Sequence, residues 1–175
     1  VGKSGRVSIS AGSSGEASVN GRYTYRKHGL VLNINAGAGY SKFVGCGYSV
    51  RNNIYTDSSN FFNTKNNNDN RNLRPNFRTS LDYDINKLQS LNAVVQFNSS
   101  DFNNQSQTGY TNINRFDQIY RVSERNIRSE GDNFNASFSL SYLMRTKRAG
   151  EQLRVIADAN RSVNNSNRNF YQQFF

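Results

Sequence analysis

The sequence predicts an all-β fold, an antiparallel up-and-down transmembrane β-barrel to which this chain contributes about seven strands. Three observations carry that prediction. Apolar and polar residues alternate with a period of two in one segment after another. Short basic connections alternate with long polar tracts. Aromatic residues cluster at both ends of the apolar parity.

The clearest strand is "NFNASFSLSYLM" at 133–144. Phe134, Ala136, Phe138, Leu140, Tyr142 and Met144 share one parity, and Asn133, Asn135, Ser137, Ser139 and Ser141 the other, with Leu143 the exception. Successive side chains of a strand point to opposite faces, so the segment has one apolar and one small polar face. The same alternation appears in chain order elsewhere. Val7, Ile9 and Ala11 have Ser8 and Ser10 between them. Ala17, Val19, Tyr23 and Tyr25 alternate with Ser18, Asn20, Arg22 and Thr24. Leu30, Leu32, Ile34, Ala36, Ala38 and Tyr40 oppose Asn33, Asn35, Gly37 and Gly39, with Val31 out of pattern. Phe77, Thr79, Leu81, Tyr83 and Ile85 oppose Arg78, Ser80, Asp82 and Asp84. Leu91, Ala93, Val95 and Phe97 oppose Asn92, Gln96 and Asn98. Leu153, Val155, Ala157, Ala159 and Val163 oppose Arg154, Asp158, Asn160 and Ser162. No segment has the 3.6-residue periodicity of an amphipathic helix.

The connections make the second observation. "RKHG" at 26–29, "NKLQ" at 86–89 and "RTKRAGE" at 145–151 are short, as is "AGSSGE" at 11–16. The tracts near 44–75 and 103–132 are long and rich in Asn, Ser and Arg, and read as surface loops. Outer-membrane barrels join their strands in this way, with short turns on one side and longer loops on the other. Residues 1–175 therefore read as a single β-barrel segment.

The aromatic residues follow the same division. Tyr23, Tyr25, Tyr83 and Tyr142 precede short turns on the apolar parity, while Tyr40, Phe77, Phe97 and Phe134 lie near the long tracts. These eight form the expected lipid-interface girdle, and the apolar spacing between its two halves is close to the roughly 9–11 residues of a tilted membrane strand. On the polar parity, Arg22, Arg78, Asp82, Asp84, Arg154 and Asp158 are the candidates for lining a lumen. There they would guide a substrate or form cross-strand pairs and contacts to a plug.

Composition agrees. Hydrophobic residues make up 35% of the chain, below the usual ~45–50% of a soluble core, and no apolar run approaches the roughly 20 residues of a membrane helix. A barrel tolerates this, because half of its strand residues face water. The net charge of +10 is spread over turns and tracts with no compact basic stripe, so nucleic acid is not an expected partner. Cys46 and His28 are the only residues of their kinds. No intrachain disulfide or zinc cluster can form, and His28, in "YRKHGL", reads as a turn residue and not a base, so neither an enzyme nor a cofactor is expected. Asp57 and Asp69 lack the ordered acidic spacing of a calcium loop. Arg71, Arg74, Arg115, Arg121, Arg125 and Arg128 read as solvated loop charges or contacts to lipopolysaccharide. "VGKSGRVSIS" has no signal-peptide character.

Three stretches then carry a resemblance: "SGRVSISAGSSGEASVNGRYTYRKHGLVLNINAGAGYSKF", "RPNFRTSLDYDINKLQSLNAVVQFN" and "NASFSLSYLMRTKRAGEQLRVIADANRS". Their strand and turn texture resembles the outer-membrane β-barrel region of TonB-dependent receptors from the Bacteroidota, over essentially all of the chain. The resemblance implies a bacterial outer-membrane transporter that takes up a bulky nutrient. It also implies partners: outer-membrane lipid and lipopolysaccharide, the rest of the barrel and its plug, the barrel-assembly machinery, a surface lipoprotein and the TonB complex. The chain departs from the family in lacking a plug and a TonB-contacting box. It also has about seven strands where single-chain bacterial barrels have an even number. It reads as the early part of a longer barrel, with "FYQQFF" a strand cut short. The competing expectations are a soluble β-sandwich that binds or adheres, and a passive porin-like barrel.

Overall fold

Seven strands in one sheet account for nearly all of the chain: β1 (Gly2–Ala11), β2 (Ala17–Lys27), β3 (Leu30–Ile54), β4 (Ser59–Asn86), β5 (Gln89–Ile113), β6 (Ile119–Arg145) and β7 (Gln152–Phe174). The structure, a computed structural model, describes residues 2–54, 59–146, 148 and 150–175. The sheet order is β1-β2-β3-β4-β5-β6-β7, an antiparallel up-and-down meander, and no helix occurs among the described residues. The order is linear: the sheet is not closed between β1 and β7 among these residues.

Register fixes which residues share a face. Ile9 lies opposite Val19, Val7 opposite Gly21, and Arg6 opposite Arg22. Val19 in turn faces Ala38, Tyr23 faces Ile34 and Tyr25 faces Leu32, whereas Asn20 faces Gly37 and Arg22 faces Asn35. Direct cross-strand partners lie on one side of a sheet, so the apolar parities of β1, β2 and β3 form one surface and the polar parities the other.

The hairpins are closed by local turn chemistry. Lys27 pairs with Leu30, leaving His28 and Gly29 as a two-residue loop with φ of 46° and 78°. Two consecutive positive values define the type I′ turn, whose twist matches that of the strands it joins. At β1–β2 the Gly12 N–H donates to Glu16 O (2.7 Å) and the Gly15 N–H to Gly12 O (3.2 Å), with Gly15 at φ 85°. The β5–β6 turn repeats this pattern with Asn114, Gln118 and Asp117 (φ 59°), and Asn114 Oδ1 accepts from the Phe116 and Gln118 N–H groups. At β4–β5, Asn86 Oδ1 accepts from the Leu88 N–H at 2.8 Å.

Gly29 has a second constraint. Its carbonyl accepts the Asp84 N–H at 2.9 Å, and a Cβ added to it would stand 2.9 Å from Asp84 O. Gly29→Ala is therefore expected to cost about 1–3 kcal/mol, from the left-handed backbone and the forced displacement of β4. A lowered urea midpoint with an unchanged slope checks this.

The tracts near 44–75 and 103–132 are not long loops. Residues 44–54 continue β3, 59–75 belong to β4, 103–113 continue β5 and 119–132 belong to β6, so these strands have 25 to 28 residues. Asn and Ser disfavour strands intrinsically, but that preference is small and context overrides it. Here the side chains bond across the ladder: Asn53 Nδ2 donates to Asn60 Oδ1 (3.0 Å), Ser106 Oγ to Asn66 Oδ1 (3.2 Å), and Gln107 Nε2 to Glu124 Oε1 (2.8 Å).

The chain forms two compact units. The first comprises Val1–Tyr40, Leu73–Asp101 and Asp132–Asn165, and the second Ser41–Asn72, Phe102–Gly131 and Ser166–Phe175. In neither is there a hydrophobic core among the described residues: no apolar side chain is buried, and the one buried polar residue is Ser123.

Candidate lipid-facing surface and polar face

In the first unit the apolar parity forms an uncovered surface. Ile9, Val19, Tyr23, Ile85, Phe138 and Val155 all remain exposed, Ile9 at 79%. A soluble sandwich buries such a face under a second sheet, but no described residue of this chain covers it.

Within that surface the structure brings three of the girdle residues together. Phe77, Phe97 and Phe134, from β4, β5 and β6, stack in one row with ring centroids 6.2 and 6.3 Å apart and interplanar angles of 27° and 20°. Tyr23 and Tyr25 share the apolar face of β2, the latter with Lys3 Nζ 5.9 Å from its ring centroid. Tyr23, Tyr40 and Tyr83 are about two-fifths exposed, and Tyr25 and Tyr142 are half-buried.

The apolar parity ends abruptly. In β4 it runs from Leu73 to Ile85, and on the other side of the unit boundary the same parity holds Asp69 and Arg71. In β5 Val95 and Phe97 give way to Ser99, Asp101 and Gln107. In β6 Phe134 to Met144 follow Glu124, Asn126, Arg128, Glu130 and Asp132. In β7 Val163 is followed by Asn165, Asn167 and Asn169. Four strands thus exchange apolar for polar or charged residues, on one parity, within a few residues of one boundary. Along 124–132 Glu124, Arg128, Glu130 and Asp132 share one parity, a period-two signal that sequence reasoning missed by taking polarity for loop.

On that parity in the second unit, Arg71 clamps Asp69 with two hydrogen bonds, Nε to Oδ1 at 3.1 Å and Nη2 to Oδ2 at 2.8 Å, and Arg128 pairs with Glu130 at 3.0 Å. The Arg71 hydrogen bonds hold the Asp69 carboxyl below its ordinary range, and Gln107 and then Asn126 do the same for Glu124. Carboxyls lowered in the fold stabilise it at neutral pH, and that contribution is lost as pH falls through their lowered values. Asp69 is thus occupied by an arginine, and Asp57 lies outside the described residues. On the opposite parity Phe62 and Tyr110 stack at 5.5 Å, and the Arg125 guanidinium lies over Tyr110 (5.2 Å) and Phe170 (5.3 Å).

The polar face of the first unit is a hydrogen-bonded ladder. Thr24 Oγ1 donates to Asn33 Oδ1 (2.9 Å) and Asn33 Nδ2 to Ser80 Oγ (3.3 Å), crossing β2, β3 and β4. Arg78 donates to Gln96 at 3.1 Å, and Asn92 to the Asp82 carboxylate. Asp84 contributes its backbone N–H to the β2–β3 turn. Arg22 lies in a hollow of about 500 Å³ with Arg6 and Arg26. Arg154 and Asp158 lie exposed on β7. The six lumen candidates do not converge: none takes part in an ion pair among the described residues. Arg78 and Asp82 serve cross-strand pairing. His28 occupies its turn, and no group of three or more His, Cys, Asp and Glu side chains comes together among the described residues.

Compared with protein-family models and with curated protein sequences, the chain matches none.

Proposed function

We propose that this chain is part of an outer-membrane β-barrel, and that its apolar parity in residues 1–40, 73–101 and 132–165 contacts lipid. One observation carries the reading: an apolar sheet face that no described part of the chain covers ends, on four strands, where polar or charged residues begin on the same parity. A bilayer accounts for that edge, because a lipid-exposed face must be apolar within the hydrocarbon and is free to be charged outside it. A strand of 25 residues exceeds the roughly 9–11 that cross a bilayer, so the polar extensions project into water. The Phe77–Phe97–Phe134 row then lies at the interface, and the Asn- and Ser-rich face lines a wet interior.

Further along this reading, the barrel is that of a TonB-dependent receptor importing a bulky nutrient. The strand and turn texture supports this step, and remaining strands and a plug would complete the molecule. The open sheet, with unpaired edges at β1 and β7, fits a partial barrel.

Fractionation of the full-length native product tests the proposal. It is expected in the outer-membrane fraction, with a band that shifts on boiling before electrophoresis. A soluble product indifferent to heating would contradict it and favour an adhesive sandwich. Residues 1–175 alone, with two open edges, are expected to need detergent. A sharp monomeric peak in detergent-free gel filtration would contradict that.

A further inference from the structure

We propose that residues 41–54 of β3 are a docking edge for another protein, which adds an extended segment there as a strand. Pairing of β2 with β3 ends at Ala17 and Tyr40, because β2 is reached through the tight Gly12–Glu16 turn. β3 continues to Ile54. Over 41–54 it therefore has a partner strand, β4, on one side only, and its backbone N–H and C=O groups on the other side have no strand partner among the described residues.

The side chains single out the same segment. In β4, β5, β6 and β7 the apolar parity of the first unit gives way to mostly polar or charged residues beyond the unit boundary. In β3 it passes Lys42 and becomes apolar again at Val44, Cys46, Tyr48 and Val50, and after Asn52 at Ile54. Val44 is 66% exposed, Tyr48 70% and Ile54 77%, and Cys46 is exposed. Free edges are normally protected by proline, bulges or inward charge. Between Lys42 and Arg51 this edge has no charge and no proline, and a Cβ added at Gly47 would meet nothing within 4 Å. Within the second unit, the longest run of apolar residues on this parity thus lies on the strand whose β2-side edge is open. Strand addition uses both features: the edge supplies main-chain hydrogen bonds, and alternate side chains supply selectivity. The occupant that fits is an extended polypeptide with apolar residues at alternate positions and carboxylates near its ends, facing Lys42 and Arg51. The inference concerns the sheet edge and does not depend on lipid covering the first unit.

Hydrogen exchange of the full-length protein, with and without a synthetic peptide of alternating valine and threonine flanked by glutamates, tests it. Amides of 41–54 are expected to exchange about tenfold more slowly with the peptide, and not with a proline-interrupted version. Val44→Lys with Val50→Lys should abolish that protection, and the exchange of β4 to β7 in the same samples reports whether the fold survives. Tyr48→Lys is a milder variant, expected to weaken it. No protection at saturating peptide would overturn the proposal, as would protection confined to β1 or β7, or equal protection in the variants. Protection that grows with protein concentration alone would assign the edge to a second copy and also overturn it.

Discussion

Phe138→Lys is expected to destabilise the protein in a lipid bilayer by about 2–4 kcal/mol, and Ser139→Lys by less than about 1 kcal/mol. The residues are adjacent in β6, so local propensity is nearly the same for both. They differ in the face they occupy. Phe138 is 40% exposed between Ala136 and Leu140, on the parity that lacks a protein cover. A lysine there must place its ammonium in hydrocarbon or bend toward the interface. At Ser139 the same ammonium enters the polar face, where water solvates it. Urea-dependent folding into vesicles measures both. Equal costs would mean that the two faces meet the same medium, and a larger cost at Ser139 would reverse the assignment.

Phe97→Ala should be the most costly single truncation in the aromatic row, at about 1–3 kcal/mol, with Phe77→Ala and Phe134→Ala each smaller. Phe97 is the middle ring, stacked on both neighbours, and each aromatic pair contributes about 0.5–1.5 kcal/mol beyond area burial. A double-mutant cycle between Phe77 and Phe97 isolates one pair. Additive losses would show that the row is a coincidence of strand positions and not a coupled belt.

Much of the fold was legible because period-two alternation is a backbone property that needs no partner to be seen. The segments 133–144, 30–40 and 77–85 lie in strands, and the all-β meander of seven strands is the one expected. The polar extensions were not legible in the same way. In 59–72 and 103–113 the side chains on both parities are mostly polar, so hydropathy has nothing to alternate, and what holds the strands together is bonding such as Ser106 to Asn66. The charged parity of 124–132 did carry a signal, since Glu124, Arg128 and Glu130 continue the positions of Phe134 and Phe138. The girdle was legible in part. Phe77, Phe97 and Phe134 stack, while Tyr40 and Tyr142 are placed on strands β3 and β6. The lumen candidates were legible as a face but not as a site. Parity tells which way Arg78 points, and only register tells that Gln96 is there to receive it.

Spin labels placed singly along 120–144, in a Cys46→Ser background in bilayers, test the central claim most directly. The account requires even positions from 134 to 144 to be open to oxygen and closed to a water-soluble nickel relaxant. Odd positions there should be open to nickel, and even positions from 124 to 130 should be open to nickel as well. Even positions from 134 to 144 that are closed to both reagents would mean that protein, and not lipid, covers the face, and the membrane reading would be wrong.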